Sequence, residues 1–370
     1  MKQMKICQIY YDASHYRETI YREIDKSFDT DIVFGIPSSE GIKQMNPKGF
    51  RGNVKYTKII TWHSVFFQEG ILKLIWEPYD IYIGMGETHG ISSWLFPVLV
   101  RIFKPKKKVY FWSHGWYGKE SKFERFVKKI FFKLPNGGTF LYGDYARNLM
   151  IKEGLAPDKL FVIHNSLAYY HQLEIRNSID GSNVYLHHFG NSNKVIVMIG
   201  RLNMRKHLDM LIETLYLAKS KGRLYNLVLI GNGEDKEKLT SLSQQKGVDS
   251  QVWFYGACYD EVKNAELIYN SDLCVVPGDI GLTAIHSLMF GTPVISHNYF
   301  PTQGPEFEAI KPGVTGDFYK YGDVQSLTDT IHNWFENNPH RELIRQACYN
   351  EIDENWTPDY QINVLKKHLK

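Results

Sequence analysis

The sequence predicts an α/β protein of two Rossmann-like, doubly wound domains, and three observations support this fold class. The chain has 370 residues, which suits two domains at about 150 residues each. Short apolar and β-branched runs alternate with amphipathic stretches of helical length along the whole chain. Several of these runs end in glycine or proline, as do strands that are buried on both faces of a parallel sheet. We therefore expect two parallel sheets that are covered by helices.

Twelve runs are predicted to be strands, and they fall into two groups. Those of the first group are 5–11, 31–37, 53–60, 80–86, 108–114, 139–143 and 160–165. Those of the second group are 194–200, 226–231, 252–256, 273–277 and 293–297. The polar stretch 171–193, rich in Ser, Asn and His, is predicted to be the linker between them.

The domains follow from this grouping. The first is expected to span 1–175 and the second 176–355, with a last helix in 356–370 that packs back on the first domain. Open α/β sheets bind ligands beyond the carboxyl ends of their strands, so we expect the site in a cleft across which the two domains face each other.

Composition excludes several classes of protein. The cysteines are scattered, without a CxxC pair or a companion histidine spacing, which argues against a structural zinc site and a disulfide framework; they are Cys7, Cys258, Cys274 and Cys348. Residues 1–10 lack the apolar core of a signal peptide, and no run reaches about 18 apolar residues. We therefore expect a cytoplasmic protein.

Basic residues are concentrated between Arg101 and Lys133, where eleven Lys and Arg stand against two acidic residues. This predicts either a phosphate-rich partner or a solvated helix face. A helix over 121–133 would carry apolar residues on one side and cations elsewhere, which favours an anionic membrane surface contacted through 94–133, at the inner face of the cell membrane. The apolar residues are Phe123, Phe126, Val127, Ile130 and Phe131. The alternative is that they pack on the domain's own sheet. We expect no nucleic acid partner.

The first motif with chemical content runs from Gly200 to Lys206, directly after a predicted strand. The glycine lets the backbone turn tightly, and Arg201 and Lys206 are placed to converge on a diphosphate, one as a fork and the other as a point charge. The alternative is a basic loop that is merely solvated.

The second motif, PGDIGLTAIH, runs from Pro277 to His286 and predicts a strand end, a glycine-rich turn and a helix. The amides of Gly281, Leu282, Thr283 and Ala284 would lie at the helix N-terminus, where anions bind readily. His286 would lie in reach of ligand hydroxyls. The alternative is an ordinary crossover with a buried, satisfied histidine.

Together these motifs resemble the donor domain of the retaining glycosyltransferases of family 4, the group 1 glycosyltransferases with the GT-B fold. The resemblance is close over 194–335 and looser before it. Its further matches are a strand and turn at Val228–Gly233, which holds Gly231 and Gly233, a GTPVI run at Gly291–Ile295 and a GVTGDFYKYGD run at Gly313–Asp323. It implies transfer of a sugar from a nucleotide-sugar to a saccharide or polyprenyl-linked saccharide, in a bacterial surface polysaccharide pathway.

The family normally carries two glutamates eight positions apart, where this chain has Gly278 and His286. In the family the second binds the ribose and the first helps to hold the donor sugar. We expect His286 to keep the ribose contact and Asp279 to stand in for the first glutamate, while Glu306 and Glu308 are further candidates for the donor site.

In the first half, the resemblance makes His114, at the end of a predicted strand, the best candidate to face the donor sugar. The loop after the first strand lacks the family's glycines. Its His15 and Arg17 are candidates for the acceptor side, although a simple helix start explains them equally well.

The implied mechanism stabilises the leaving diphosphate with Arg201, Lys206 and the helix-start amides, and it needs neither a metal nor a cofactor besides the nucleotide-sugar. Alternatives are an epimerase or phosphorylase of the same fold, a metal-dependent transferase that uses the DTD of 29–31, and a non-catalytic binding protein. A dinucleotide-dependent oxidoreductase is disfavoured because no strand is followed by GxGxxG.

Overall fold

The computed structural model describes residues 4–36 and 45–369 and divides the chain into two units. One comprises Met1–Ala168 with Thr357–Lys370, and the other Tyr169–Trp356. The division falls before the helix that starts at Tyr169 rather than at 175, because that helix lies with the second unit, where Arg176 forms an ion pair with Asp353 (2.8 Å).

The first unit holds an eight-stranded sheet with the order β4-β3-β2-β1-β5-β6-β7-β8. All neighbours are parallel except β3 and β4, which form an antiparallel pair. The strands are β1 (Lys5–Tyr10), β2 (Asp29–Ile36), β3 (Val54–Trp62), β4 (Val65–Gln68), β5 (Ile81–Met85), β6 (Lys108–Ser113), β7 (Gly138–Leu141) and β8 (Leu160–Val162).

Helices cover both faces of this sheet and bury separate apolar clusters. They are α1 (Glu18–Ser27), α2 (Ile91–Phe103), α3 (Lys122–Phe131) and α4 (Asp144–Lys152). On one face Tyr21 and Ile24 of α1 pack with Tyr10 of β1 and Trp112 of β6. On the other face Phe96, Phe131 and Met150, from α2, α3 and α4, pack around Phe111. Side chains from the two faces of the same strands therefore pack into two separate hydrophobic cores.

The second unit is built around a six-stranded, wholly parallel sheet with the order β11-β10-β9-β12-β13-β14. Its strands are β9 (Lys194–Ile199), β10 (Tyr225–Ile230), β11 (Val252–Gly256), β12 (Leu273–Val275), β13 (Val294–His297) and β14 (Gly316–Tyr319). Its helices are α5 (Tyr169–Ser178), α6 (Val184–Phe189), α7 (Asp209–Ser220), α8 (Lys236–Gln245), α9 (Glu261–Asn270), α10 (Thr283–Met289), α11 (Val324–Asn337) and α12 (Arg341–Asn355).

The last helix, α13 (Pro358–His368), belongs to the first unit. Ile362 and Leu365 join the cluster around α1. Its Gln361 accepts a hydrogen bond from Ser166 Oγ (2.7 Å) and donates one to the His164 carbonyl (3.0 Å). These bonds are buried, so they hold the helix in register on the sheet.

Each of the twelve predicted strands corresponds to an observed strand, but the sequence analysis missed β4 and β14. The prediction of a linker over 171–193 was wrong, because this stretch contains most of α5 and the whole of α6. Polar residues dominate it because these helices lie at the surface of the unit, with Tyr185 as a buried anchor that donates to the Leu267 carbonyl (2.6 Å).

The DTD sequence of 29–31 opens β2 and serves the fold. Asp31 is 4% exposed, pairs with Lys5 (3.2 Å) and accepts hydrogen bonds from Tyr79 and Asn53. Burial alone would raise the pKa of Asp31, but these hydrogen bonds and the Lys5 ammonium outweigh it and lower the pKa. The carboxylate is thus already satisfied within its own sheet.

The surface of α2 and α3 carries exposed apolar side chains. Phe123, Phe126 and Ile130 of α3 are 75%, 62% and 43% exposed, whereas Phe131 is buried against Phe111. Phe131 thus follows the alternative that this apolar face packs on the domain's own sheet, whereas the other three side chains stay exposed. Within the described ranges 4–36 and 45–369, no helix is long and apolar enough to cross a bilayer.

Candidate functional site

The loops that follow three adjacent strands of the second sheet, β10, β9 and β12, lie against one another at its carboxyl edge. The Leu202 amide donates to the Asn232 carbonyl (3.0 Å), which ties the loop after β9 to the loop after β10. The Gly278 amide donates to the Lys206 carbonyl (2.8 Å), which ties the loop after β12 to the same central loop. Both predicted motifs are thus brought together in one place.

Three glycines make this stacking possible by the close approach of main chains. A Cβ at Gly231 would lie 1.9 Å from the Gly200 carbonyl oxygen, and Gly231 has a φ of +152°. A Cβ at Gly278 would lie 2.0 Å from the Arg205 carbonyl oxygen. Gly233 lies in the same way against Leu202. Gly200, Gly231 and Gly233, predicted as donor-binding residues, therefore bring the loops into contact with one another.

Lys206 lies half-buried between the two motifs. Its Nζ donates to the Asp279 carbonyl oxygen (2.5 Å). Burial lowers the pKa of Lys206, and the nearby carboxylates of Asp279 and Glu306 offset this only in part. Arg201, from the same loop, is exposed to solvent. A partly desolvated ammonium beside an exposed guanidinium forms a positive local field that suits an anionic ligand.

The glycine-rich turn leads into α10 as predicted, with one difference. The Ala284 amide donates to the Gly281 carbonyl (2.9 Å), so it is engaged by the turn and not available to an anion. Thr283 Oγ1 donates to the Ile199 carbonyl (3.1 Å) and fixes the start of α10 to the end of β9. Because a hydroxyl has one proton, Thr283 can only accept from a ligand. Gly281 and Leu282 are half-buried at the same turn.

Gln303 is a site residue that sequence reasoning missed. Its side-chain oxygen accepts from the Ile280 amide (2.7 Å), and its Nε2 donates to Ser296 Oγ (2.9 Å) and the His297 carbonyl (3.0 Å). All of these bonds are buried, so Gln303 fixes the turn to β13. The only hint in the sequence is a polar residue in the PTQGPEFEAI run that also holds the glutamate candidates.

Of the acidic candidates, Glu306 lies at the turn. Its side chain is 4% exposed, and its Oε2 lies 4.0 Å from the position that a Cβ of Gly281 would take. Glu308 is half-buried, and its carbonyl accepts from Lys311 Nζ (2.7 Å). Asp279 is half-buried, and its carbonyl binds Lys206. The structure thus brings Glu306 and Asp279 to the basic motif.

His286 lies on α10 with a carboxylate partner from another helix. Its Nε2 lies 2.9 Å from Glu261 Oε1, at the start of α9, and Gln172 Nε2 donates to the same oxygen (2.7 Å). Burial would raise the pKa of Glu261, but the hydrogen bonds from His286 and Gln172 outweigh it and lower the pKa. The cluster presents an ionised carboxylate that is suited to accept from ligand hydroxyls.

In the first unit, His114 follows β6 and is exposed to solvent. Its ring lies 4.7 Å from the ring of Tyr142 and 6.1 Å from that of Tyr117. Desolvation by the surrounding protein, together with the cations of Arg17 and Lys128, lowers the pKa of His114 although the side chain reaches solvent. His114 is therefore neutral at pH 7 and can either donate or accept a hydrogen bond.

His15 and Arg17 form a short 3-10 helix, His15–Arg17, directly after β1. The two residues differ in solvent exposure: His15 is exposed, whereas Arg17 is only 6% exposed. The Arg17 guanidinium lies among the rings of Tyr10, Tyr21 and Trp112. Both residues, like His114, lie at the carboxyl edge of the first sheet. The sequence alone could not separate the exposed residue from the buried one.

In the parts of the chain that the structure describes, no group of three or more His, Cys, Asp or Glu side chains could hold a metal ion. In the second unit, the candidate site combines Lys206, Arg201 and a helix start with a carboxylate and a histidine. This arrangement suits a ligand with both phosphate and hydroxyl groups.

Comparison with known proteins finds glycosyltransferases that are similar to this chain. Residues 187–351 match the family model of glycosyl transferases group 1. An uncharacterized glycosyltransferase of Methanocaldococcus jannaschii is 24% identical over 226 residues, 55% of this chain and 54% of that protein. The lipopolysaccharide 1,6-galactosyltransferase of Salmonella typhimurium is 29% identical over 148 residues, 37% of this chain and 38% of that protein. The chain thus spans about half the length, or less, of these curated relatives.

Solved structures extend the likeness of fold to the whole chain. The lipopolysaccharide outer core galactosyltransferase WaaB in its apo form aligns with a TM-score of 0.72 at 16% identity and covers 99% of both chains. Anabaena HepE in complex with UDP aligns with a TM-score of 0.71 at 15% identity, over 98% of this chain and 99% of that one. Both sheets thus have the Rossmann-like architecture of GT-B proteins, and residues 187–351, which lie within the second unit, carry the match to glycosyl transferases group 1.

Proposed function

We propose that this protein is a retaining, metal-independent glycosyltransferase that moves a sugar from a nucleotide-sugar to a saccharide or a polyprenyl-linked saccharide. The observation that carries the proposal is the junction of the loops after β9 and β12, where Lys206 Nζ binds the Asp279 carbonyl beside Glu306 and the start of α10. A diphosphate is the ligand that best matches a desolvated ammonium, an exposed arginine and a helix start. The nucleotide-sugar is the only co-substrate required.

Each group has a defined role in this proposal. Lys206 and Arg201 neutralise the charge that develops on the leaving diphosphate, and the amides at the start of α10 add to this field. Glu261, held by His286 and Gln172, accepts hydrogen bonds from hydroxyls of the nucleotide or sugar. We assign the donor to the second unit and the acceptor to the first, where His114 faces the sugar.

The stereochemical proposal follows from the acidic groups near the basic motif. Glu306 and Asp279 lie near enough to Lys206 to raise its pKa, so we assign them to balancing this cation and not to the nucleophile of a double displacement. We therefore propose that the departing phosphate itself accepts the proton of the acceptor hydroxyl on the same face. The bond from the anomeric carbon to the phosphate oxygen breaks, and the bond to the acceptor oxygen forms.

We propose a place for this reaction at the cytoplasmic face of a membrane, in the synthesis of a surface polysaccharide. The support is the exposed apolar surface of α3, flanked by Lys122, together with exposed Leu95 and Ile102 on α2. This surface is narrower than the expected one. Trp94 packs on Phe131, Phe96 is buried, and Arg125 and Lys128 form ion pairs with Glu153 and Glu120.

The first experiment is a thermal-shift screen of the purified protein against UDP-, GDP- and CMP-sugars, with and without Mg²⁺. UDP is the natural starting point, because Anabaena HepE has been solved in complex with UDP, with UDP and glucose, and with UDP-glucose. A ligand at about 100 times its Kd should stabilise the protein by about 2.7 kcal/mol. We expect one nucleotide class to raise the Tm without metal, and Arg201→Ala and Lys206→Ala to abolish the shift.

Two further measurements separate the alternatives. Release of free nucleotide only when an acceptor is present, with an α-linked product from an α-linked donor, supports retention. Interconversion of the nucleotide-sugar without an acceptor would instead indicate an epimerase, and release of a sugar 1-phosphate upon addition of inorganic phosphate would indicate a phosphorylase. Nucleotide binding without any turnover would favour a non-catalytic binding protein.

A further inference from the structure

Arg17 is a buried cation that has no ion-pair partner in the described part of the chain. Its side chain is 6% exposed, and no carboxylate of residues 4–36 or 45–369 pairs with it. Its Nε and Nη2 are buried and have no hydrogen-bond acceptor among the described residues. Arginine stays protonated in proteins, and buried charges are normally both paired and hydrogen-bonded. The fold itself therefore leaves this guanidinium incompletely satisfied.

Aromatic rings surround the guanidinium and stabilise its charge in part. The Arg17 Cζ lies 5.0 Å from the ring centroid of Trp112, 5.1 Å from that of Tyr21, 5.2 Å from that of Tyr10 and 6.0 Å from that of Tyr142. Ring faces attract a cation, but they do not replace in-plane acceptors for its N–H groups. The rings thus hold the arginine in place but leave its Nε and Nη2 without hydrogen-bond acceptors among the described residues.

Two of the surrounding residues add further donors without acceptors. The Tyr21 hydroxyl and Trp112 Nε1 are both buried and unbonded within the described part of the chain. Tyr10 differs, because its hydroxyl bonds to Gln8 Oε1 (2.9 Å). Around Arg17 there are consequently four buried donor atoms, and residues 4–36 and 45–369 supply no acceptor for them. We refer to Arg17, Tyr21 and Trp112 as the Arg17 cluster.

The cluster lies where an open α/β sheet binds ligands. Arg17 follows the end of β1, Trp112 lies near the end of β6, and Tyr142 follows β7, so all three are at the carboxyl edge of the first sheet. The ring of Tyr142 also contacts that of His114, which is exposed. The ring of Tyr142 therefore lies close to both the exposed His114 and the buried Arg17.

We propose that the Arg17 cluster binds a phosphate group carried by the acceptor. This inference rests on the proposed function, which identifies the ligand of the first unit as the acceptor. One edge of the guanidinium, Nε with Nη2, occupies two phosphate oxygens in a bidentate contact. The other oxygens remain for the Tyr21 hydroxyl and Trp112 Nε1. A single water has too few lone pairs to accept from all four donors, and it would leave the charge unbalanced.

The chemistry is shared by two sources, a soluble sugar phosphate and a phosphate linked to a lipid. The test measures binding to the whole protein by thermal shift and calorimetry, with glucose 6-phosphate for the first source and geranyl phosphate for the second. Acetate at the same concentration controls for carboxylates. The variants are Arg17→Met, Tyr21→Phe and Trp112→Phe. The matched control is Arg22→Met, which removes a half-exposed arginine of α1 that pairs with Glu18.

We expect at least one phosphate probe to bind the wild-type protein and acetate to bind much more weakly. Arg17→Met should raise the Kd at least about tenfold, which corresponds to about 1.4 kcal/mol. Tyr21→Phe keeps the ring and removes only a donor, so a smaller increase in Kd is expected without loss of folding. Arg22→Met should leave the Kd of the phosphate probes unchanged. Without ligand, Arg17→Met should melt no lower than the wild type, because it removes a buried, unsatisfied charge.

Several outcomes would overturn the proposal. One is that Arg17→Met and Tyr21→Phe bind the phosphate probes as tightly as the wild type does. The others are that acetate binds as tightly as phosphate, or that no probe binds at all. Nucleotide shifts measured on the same variants keep the two proposals apart, because Arg17→Met should retain them fully. A wild type that binds phosphate probes through Arg17 but no nucleotide would contradict the donor site alone and leave the anion site standing.

Discussion

His286 Nε2 lies 2.9 Å from Glu261 Oε1, and this contact places a carboxylate of α9 beside α10. The helix that carries the second motif has no acidic residue of its own at position 286, yet an ionised carboxylate is present beside it. Gln172 of α5 holds the same oxygen from the other side (2.7 Å). Three helices thus cooperate to fix one negative charge at the candidate donor site, and this arrangement can be tested by charge exchange.

Replacing His286 by glutamate should destabilise the second unit. His286→Glu would put two carboxylates within hydrogen-bond distance, and one would have to take up a proton or move away. The same substitution in a chain that also carries Glu261→Gln removes the repulsion. We expect the single variant to lose about 1–2 kcal/mol and the double variant to recover most of it, as coupled neighbours do. Melting temperatures of the four proteins at pH 7.5 give the coupling.

Glu261→Gln alone is the internal control of this cycle, since it keeps the shape of the side chain and its contact with His286. It should be close to the wild type in stability but should bind the nucleotide-sugar about tenfold more weakly, because one charge-assisted acceptor is lost. Additive effects of the two substitutions would mean that the carboxylates do not meet. Unchanged nucleotide affinity would remove Glu261 from the site.

The sequence predicts those parts of this site that are local in the chain. Gly278, Gly281 and Lys206 stand in runs whose strand, turn and helix signals are all within a few residues. Glu261 and Gln172 could not be found in this way. Glu261 precedes His286 by 25 positions, and Gln172 lies in a stretch whose polar composition indicated a linker. Their roles arise from helix packing, on which local periodicity is silent.

The missed strands have related causes. β4 is four residues long and pairs antiparallel with β3, which falls outside a parallel pattern. β14 lies in the GDFY segment, with a strand signal short enough to be hidden in a glycine-rich motif. The Arg17 cluster depends on Tyr21, Trp112 and Tyr142, from three separate elements. Only the spatial arrangement separates buried Arg17 from exposed His15 beside it.

Restoring a glutamate at position 278 should fail for a structural reason. A Cβ there would lie 2.0 Å from the Arg205 carbonyl oxygen, a main-chain atom that cannot yield without moving the whole loop. Gly278→Glu should therefore cost about 2 kcal/mol or more and displace Lys206, which lies on the same loop. The melting temperature should fall, and the nucleotide-induced shift should disappear.

Gly281→Ala provides the matched control for folding. Among the described residues, a Cβ at this position would meet only Glu306 Oε2, at an ordinary 4.0 Å, so the variant should melt within a few degrees of the wild type. If Gly278→Glu instead folds as well as Gly281→Ala and transfers sugar faster, the loop is mobile enough to admit a side chain. In that case the stacking of the two motifs is not fixed.

His297 should make the protein sensitive to mild acid. It is completely buried, its Nδ1 accepts from the Tyr299 amide (3.1 Å), and burial, with added repulsion from His207, lowers its pKa to about 4. In the unfolded chain this histidine has the ordinary pKa of about 6.5, so between pH 4 and pH 6.5 the unfolded state binds more protons than the folded state. The contribution of His297 to the free energy of unfolding is therefore fully present above pH 6.5. It is lost as the pH falls toward 4, by about 3 kcal/mol in all.

His297→Asn separates this titration from the structural role. An asparagine oxygen can accept from the amide two residues on, in an Asx turn, and it does not titrate in this range. The variant should lose less melting temperature than the wild type between pH 7 and pH 5. His187→Asn, at an exposed position, should leave the difference unchanged. An equal acid response of His297→Asn and wild type would refute the assignment.

The exposed apolar surface of α3 should bind anionic vesicles. Phe123 and Phe126 are 75% and 62% exposed, and insertion of each ring into the interface should contribute about 1.5–3 kcal/mol. Phe123→Ser with Phe126→Ser should therefore weaken binding to phosphatidylglycerol vesicles at least about tenfold in a sedimentation assay. Added salt should also weaken the wild type, because Lys122 and its basic neighbours act through screened charges.

Tyr259→Ser is the control for loss of an exposed aromatic ring, since Tyr259 is 96% exposed and lies in the second unit. It should bind vesicles as the wild type does. If it weakens binding as much as the α3 variant, or if the wild type does not sediment with vesicles at all, the surface serves another purpose. Because Phe131 and Phe96 face the core, their replacement would lower stability, so only the exposed pair reports on the membrane itself.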